Sequence, residues 1–257
     1  MNNFIIDSHI HLDLYSTEQQ SIILRDMEKY NVKALISVSQ HLTSAKTNLA
    51  LSQQDSRVRP AFGFHPEQAL PSEKELTELF LFIEKHCKEM VAVGEVGLPY
   101  YLRKKDPAIP IDPYIELLEQ FIQQAATLNK PIVLHAIYKD APVVCTLLEK
   151  YSITKAHFHW FKGDQKTIKH LANNGYFVSI TPDVLYEQEI QQLVKQYPLS
   201  QMMVETDGPW PFAGPFAKKM THPQMIHHAI AEIAAIKMME VEEVYDILYK
   251  NTEQFYF

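Results

Sequence analysis

The chain has 257 residues, of which 46% are hydrophobic and only seven are glycine, so it can bury a sizeable core as one α/β domain. Its formal charge of −7 excludes a broad nucleic-acid-wrapping surface, because non-specific affinity for a phosphate backbone comes from Lys and Arg, but it leaves room for a nucleic-acid end in a local pocket. No stretch reaches the roughly 18 apolar residues of a membrane span, and an N-terminal segment with Asp7, His9 and His11 so early lacks a signal peptide's apolar core, which predicts a cytoplasmic protein.

The first short apolar run, Phe4 to Ile6, leads into Asp7-Ser8-His9-Ile10-His11. Period-two alternation puts His9 and His11 on one face, half of a metal site, although the same spacing also occurs on exposed strands that bind nothing. Apolar residues at helical spacing follow at Ile22, Met27 and Tyr30, and the next runs are Ala34 to Val38 and Pro60 to Gly63, the latter ending in Phe64-His65-Pro66. The fourth run, Val91 to Val93, leads to Glu95, a carboxylate that at the end of a buried strand needs a cation or hydrogen-bond donors. Beyond it, Pro99 to Pro113 carries Pro107 and Pro110 and predicts a long lid or wall loop.

A helical pattern through Leu117, Leu118, Phe121, Ile122 and Ala125 precedes the fifth run, Ile132 to Leu134, which ends on His135. The sixth, Lys155 to Phe158, ends on His159, and the seventh is Tyr176 to Ile180. The eighth, Met202 to Val204, leads into Glu205-Thr206-Asp207, where period two puts Glu205 and Asp207 on one face. A Pro/Gly-rich loop, 208 to 219, and two amphipathic helices, Pro223 to Ile236 and Val241 to Phe255, complete the chain, with Thr221 as cap of the first.

Eight buried strands alternating with helices in about 250 residues predict a (β/α)₈ TIM barrel. The competing open doubly wound sheet would carry a glycine-rich phosphate fingerprint after its first strand, and none is present. Taken singly, His135, His159 or Asp207 reads best as a hydrogen-bonded core residue. Together, His9, His11, Glu95, His135, His159 and Asp207 fall after strands one, four, five, six and eight, on the barrel face where functional residues collect. Imidazoles and carboxylates without thiolates suit Zn²⁺, Mn²⁺, Fe²⁺ or, less comfortably with so many histidines, Mg²⁺. Six ligands exceed the need of one Zn²⁺ and would be used fully by two divalent cations bridged by Glu95. Cys87 and Cys145 lie outside any short metal-binding spacing and read as reduced thiols.

The motifs Asp7-Ser8-His9-Ile10-His11-Leu12, Gly63-Phe64-His65-Pro66, Gly94-Glu95-Val96-Gly97-Leu98, Pro131-Ile132-Val133-Leu134-His135, His159-Trp160-Phe161-Lys162-Gly163 and Glu205-Thr206-Asp207 come in an order that spans most of the chain. In these the chain resembles the TatD-type metal-dependent deoxyribonucleases of the amidohydrolase superfamily. The resemblance implies one metal among His9, His11, Glu95 and Asp207, another among Glu95, His135 and His159, and hydrolysis of DNA phosphodiester bonds. It places His65 as a substrate-contacting or supporting histidine, and Glu205 would orient a ligand histidine through its free ring nitrogen. Asp207 is the expected acceptor of the attacking water's proton.

Two positions depart from the family: Pro99 stands where an Asp follows Gly-Leu, and Ala136-Ile137 where a Ser-Arg pair follows the fifth-strand histidine. Cations that would serve a phosphate instead are Arg103, Lys104, Lys105, Lys139, Lys162, Lys218 and Lys219, with Tyr100, Tyr101, Trp160 and Trp210 as stacking surfaces; the bland reading is solvated lysines and loop packing. No membrane and no obligatory protein partner is expected. The alternative activity is hydrolysis of a carboxylic ester, lactone or amide, and the non-enzymatic alternative is a barrel that binds metal or nucleic acid without turnover.

Overall fold

The structure is a computed structural model that describes residues 3–257. Its eight strands are β1 (Ile5–Ile10), β2 (Val32–Val38), β3 (Val58–Phe62), β4 (Ala92–Gly97), β5 (Ile132–His135), β6 (Ala156–Phe158), β7 (Phe177–Ile180) and β8 (Met202–Val204). All pair in parallel with their sequence neighbours in the order β1 to β8. The seam between β8 and β1 is bridged by Asp207 N–H donating to the His9 carbonyl at 2.9 Å and His11 N–H to the Gly208 carbonyl at 2.8 Å. Beside it, the buried Asp7 carboxylate accepts from the Thr206 N–H at 3.0 Å and its hydroxyl at 2.6 Å. The expected (β/α)₈ barrel is therefore the fold, and its closure brings the ends of the first and last strands together.

Ten α-helices surround or follow the strands: α1 (Thr17–Asp26), α2 (Leu42–Gln54), α3 (Glu73–Lys85), α4 (Tyr100–Lys105), α5 (Asp112–Leu128), α6 (Ala141–Lys150), α7 (Gln165–Asn173), α8 (Gln188–Gln196), α9 (Ile226–Lys237) and α10 (Val241–Tyr256). Local chemistry sets many of their ends. Ser16 with Gln19 and Ser72 with Glu75 form reciprocal capping boxes at α1 and α3, satisfying amide donors that would otherwise lack partners. The Asp164 side chain caps α7, and Asn129 ends α5 in the left-handed region at φ 51°.

Alternation along β2 divides the core into two layers. Ala34, Ile36 and Val38 share a cluster with Ile6, Ala61, Ala92, Val133 and Met203, closed by Phe255 and Tyr256 of α10, and this is the barrel interior. Leu35 faces the other way, into the larger cluster between strands and helices that also takes Leu49, Ile83, Leu118, Phe121 and Ile233.

Two expectations need correction. The segment from Pro99 to Pro113 is not a bare loop: Pro99 precedes α4, and Pro113 falls in the first turn of α5, where its missing N–H costs no hydrogen bond. Thr221 is not the cap before α9; the His222 ring accepts the Gln224 N–H at 3.0 Å instead, while the Thr221 hydroxyl is taken by the Trp210 carbonyl. Among the described residues no helix is long and apolar enough to cross a membrane.

Candidate metal centre

Close strand approach positions a fully buried carboxylate, Glu95. Gly97 of β4 lies in register with His135 of β5, and a Cβ on it would collide with the His135 carbonyl oxygen and carbon. Glycine here lets β4 and β5 converge, and Glu95 and His135 meet: Glu95 Oε1 lies 3.0 Å from His135 Nδ1 and 2.7 Å from His159 Nε2, with 3.2 Å between those nitrogens. Its other oxygen, Oε2, is 3.3 Å from His9 Nε2 and 3.2 Å from His11 Nε2. Asp207 Oδ1 closes this second group at 3.4 and 3.5 Å from the same nitrogens. Asp207 sits at φ 48°, a left-handed conformation imposed at the end of the seam.

All six residues singled out at the strand ends thus converge on one buried locus, with Glu95 central to both groups. The donor set passes a simple test of fit. Ligands at the Zn²⁺ distances of about 2.0–2.1 Å stand about 3.3 Å apart around a tetrahedron, close to the 3.2–3.5 Å found among His9, His11, Glu95 and Asp207. Further, His9 Nε2, Glu95 Oε2 and Asp207 Oδ1 are buried with no hydrogen-bond partner, an arrangement that a shared cation would satisfy.

The electrostatics point the same way. Burial opposes the charge of His11, but the adjacent Asp207 and Glu95 carboxylates outweigh it and push the ring up to about 10. Burial would raise the pKa of Glu95, yet His159, His65 and His9 hold it well below the usual carboxylate range. Asp207 is likewise held low, against burial, by the neighbouring His11, His9 and His159 rings. Such a nest of carboxylates and imidazoles demands positive charge, from protons or from metal.

His65 also approaches Glu95, with Nε2 3.5 Å from Oε1, and together with His135 these residues form a further group of metal-ligand type. His65 Nδ1 accepts the Glu67 N–H at 3.2 Å, so in the neutral ring the proton resides on Nε2, which then faces the site as a donor. Burial pushes this ring down to about 4, keeping it neutral near pH 7.

Glu205 is buried, and its carboxylate accepts from the Trp160 N–H at 2.8 Å and the Ser179 hydroxyl at 2.5 Å and stands 3.6 Å from His159 Nδ1. His157 is buried and away from the ligand atoms, its ring between the Tyr256 and Ser179 hydroxyls at 2.7 Å each.

One participant was missed by sequence reasoning. Glu67, two residues beyond His65, accepts from the Tyr101 and Leu102 N–H groups at 2.7 and 2.5 Å, and its Oε1 lies 3.1 Å from His135 Nε2. Burial alone would raise its pKa; the His135 hydrogen bond and the two amides lower it instead. The available signal was a carboxylate directly after the strand-end His65-Pro66 pair.

A cleft of 540 Å³ opens over the site and is lined by His65, Glu67, Tyr101, Lys105, Trp160 and Trp210, among others. The expected basic rim is divided, with Arg103, Lys104 and Lys139 around a neighbouring hollow and the rest apart. Lys105 lines the cleft, Lys162 lies 5.2 Å from the centre of the Trp160 ring, and Lys219 borders a different hollow with Tyr30 and His228.

The family model described as TatD related DNase matches residues 6–257. The chain is 38% identical to an uncharacterised metal-dependent hydrolase of Haemophilus influenzae over 98% of this chain and 99% of that protein. It is 30% identical to the human deoxyribonuclease TATDN3 over 96% of this chain and 92% of that one. Among solved structures, YJJV, a TatD homologue from Escherichia coli, superposes with a TM-score of 0.89 at 21% identity, covering 99% of this chain and 98% of that one.

Proposed function

The chain belongs to the TatD-related DNase family of metal-dependent hydrolases, and we propose that it acts in the cytoplasm as a one-domain phosphodiesterase on DNA, through two divalent cations. The observation that carries this reading is the convergence of His9, His11, Glu95, His135, His159 and Asp207, with unpartnered buried donor atoms, beneath an open cleft. Kinship with deoxyribonuclease TATDN3 supplies the substrate class. Two free thiols, Cys87 and Cys145, suit a reducing compartment.

In this reading His9, His11, Glu95 and Asp207 hold one cation, and Glu95, His135 and His159 the other. Bound there, divalent cations supply Lewis acidity toward water and the phosphoryl oxygen. Asp207 takes up the proton of the attacking water through its carboxylate. His65, neutral and with Nε2–H turned toward the site, donates to a substrate oxygen without adding charge. Glu205 fixes His159 and the Trp160 backbone, so that the sixth-strand ligand keeps its orientation.

The test is hydrolysis of single-stranded DNA by chelator-treated protein with Mg²⁺, Mn²⁺ or Zn²⁺ restored in turn. Metal should restore cleavage, and Asp207→Asn should retain the fold while losing on the order of 10² to 10⁴ in turnover. Near-normal turnover of that variant in saturating metal contradicts the assigned role. A second reading, hydrolysis of a carboxylic ester, lactone or amide, draws on the Glu67 carboxylate in the cleft wall, which disfavours added phosphate charge. Parallel phosphodiester, carboxyl-ester and amide panels on one metal-loaded preparation separate the two.

A further inference from the structure

Beside the cleft lies a second cavity of 440 Å³, bordered by Tyr100, Arg103, Lys104, Pro107, Tyr138 and Lys139. It is contributed by α4 and the turn after β5, and the chain neighbours Tyr101 and Ile137 line the cleft itself. Three cationic side chains and two phenols meet here. In the cleft, by contrast, Lys105 is the one Lys or Arg among the lining residues, alongside Glu67 and Asp207.

Arg103 is held rather than free. Its guanidinium reaches the buried Asp140 carboxylate through Nη1 at 3.4 Å, which holds the head group at this hollow, while Nε is buried. Lys104 and Lys139 are exposed and extend the positive charge at the rim. Glu189, the other carboxylate at hand, is engaged by the Tyr138 hydroxyl at 2.9 Å. The Tyr100 and Tyr138 rings lie 5.0 Å apart. A line of rings also runs back to the metal site, with Tyr100 5.4 Å from Tyr101 and Tyr101 6.2 Å from His135.

We infer that this cavity is a subsite for a nucleotide next to the one being cleaved, with Arg103, Lys104 and Lys139 on its phosphate and Tyr100 and Tyr138 against its base or sugar. The planar fork of a fixed arginine matches phosphate oxygens, exposed lysines supply point charge, and aromatic faces accept any base. The inference rests on the proposed phosphodiesterase reading and specifies how a single strand longer than the scissile unit is held.

The test compares wild type with the Lys104→Ala/Lys139→Ala double variant on a single-stranded oligonucleotide and on bis(p-nitrophenyl) phosphate, across a range of salt. For the oligonucleotide, KM should rise about tenfold at unchanged kcat, and the slope of log affinity against log salt should become shallower by about 1.4, or 0.7 for each lost phosphate contact. Kinetics on the small diester should not change. An unchanged oligonucleotide KM, or the same KM rise on both substrates, overturns the subsite. If wild type cleaves neither diester, the phosphodiesterase reading fails, and equilibrium binding of a fluorescent oligonucleotide decides the subsite alone. Weaker binding by the double variant with a shallower salt slope supports it, and equal binding overturns it.

Discussion

At Glu67 two structural roles meet in one carboxylate. It accepts the Tyr101 and Leu102 amides at the start of α4 and stands at hydrogen-bond distance from His135 Nε2. Both carboxylates accept only, and they raise the His135 ring against burial, so without a cation Nε2–H points at Glu67 and Nδ1–H at Glu95; with a cation bound, Nε2–H would stay on Glu67 and leave the Nδ1 lone pair for the metal. Partners of this kind raise the basicity of a ligand histidine and fix its ring. Glu67→Gln should therefore weaken metal binding about 10- to 100-fold, measured by titrating metal-free protein calorimetrically, with little change in the melting temperature of the metal-free form. An unchanged affinity would remove Glu67 from the site. The sequence marked Glu67 only by its place after the strand-end His65-Pro66 pair, because its partners come from α4 and β5 and only folding brings them together. His9 and His11 were legible for the opposite reason: their pairing is local, and period two already puts them on one face.

Elements were legible where burial writes a pattern. Each of the eight apolar runs became a strand, because parallel strands covered on both faces are apolar nearly throughout. The α4 helix was not legible, since six residues between Pro99 and Pro107 are too few to show a helical period. What sequence left invisible at this scale was the spacing between strands. Gly97 allows β4 to approach β5, and an added methyl would strike the His135 backbone rather than a flexible side-chain tip. Gly97→Ala should cost about 2 kcal/mol or more by forcing the strands apart, equivalent to a fall in Tm of roughly 4–8 °C. Thermal unfolding within about 1 °C of wild type would show that the pair of strands yields without cost.

For the whole molecule, the order of the strands explains how residues from 9 to 207 share one site. Barrel closure sets β8 beside β1, so Asp207 meets His9 and His11 across the seam, while Glu95, His135 and His159 come from β4, β5 and the residue after β6. The charge of this acidic chain is not uniform: Arg103, Lys104 and Lys139 gather around one hollow beside the cleft, which is where the proposed anionic polymer would be held. The central claim is that two cations, sharing Glu95, are needed for turnover. The most direct measurement adds divalent metal in known equivalents to chelator-treated protein, at concentrations well above the dissociation constants, while following hydrolysis of a single-stranded oligonucleotide. The account predicts activity that reaches its plateau at two equivalents per chain; a plateau at one equivalent, or no hydrolysis with both sites filled, would contradict it.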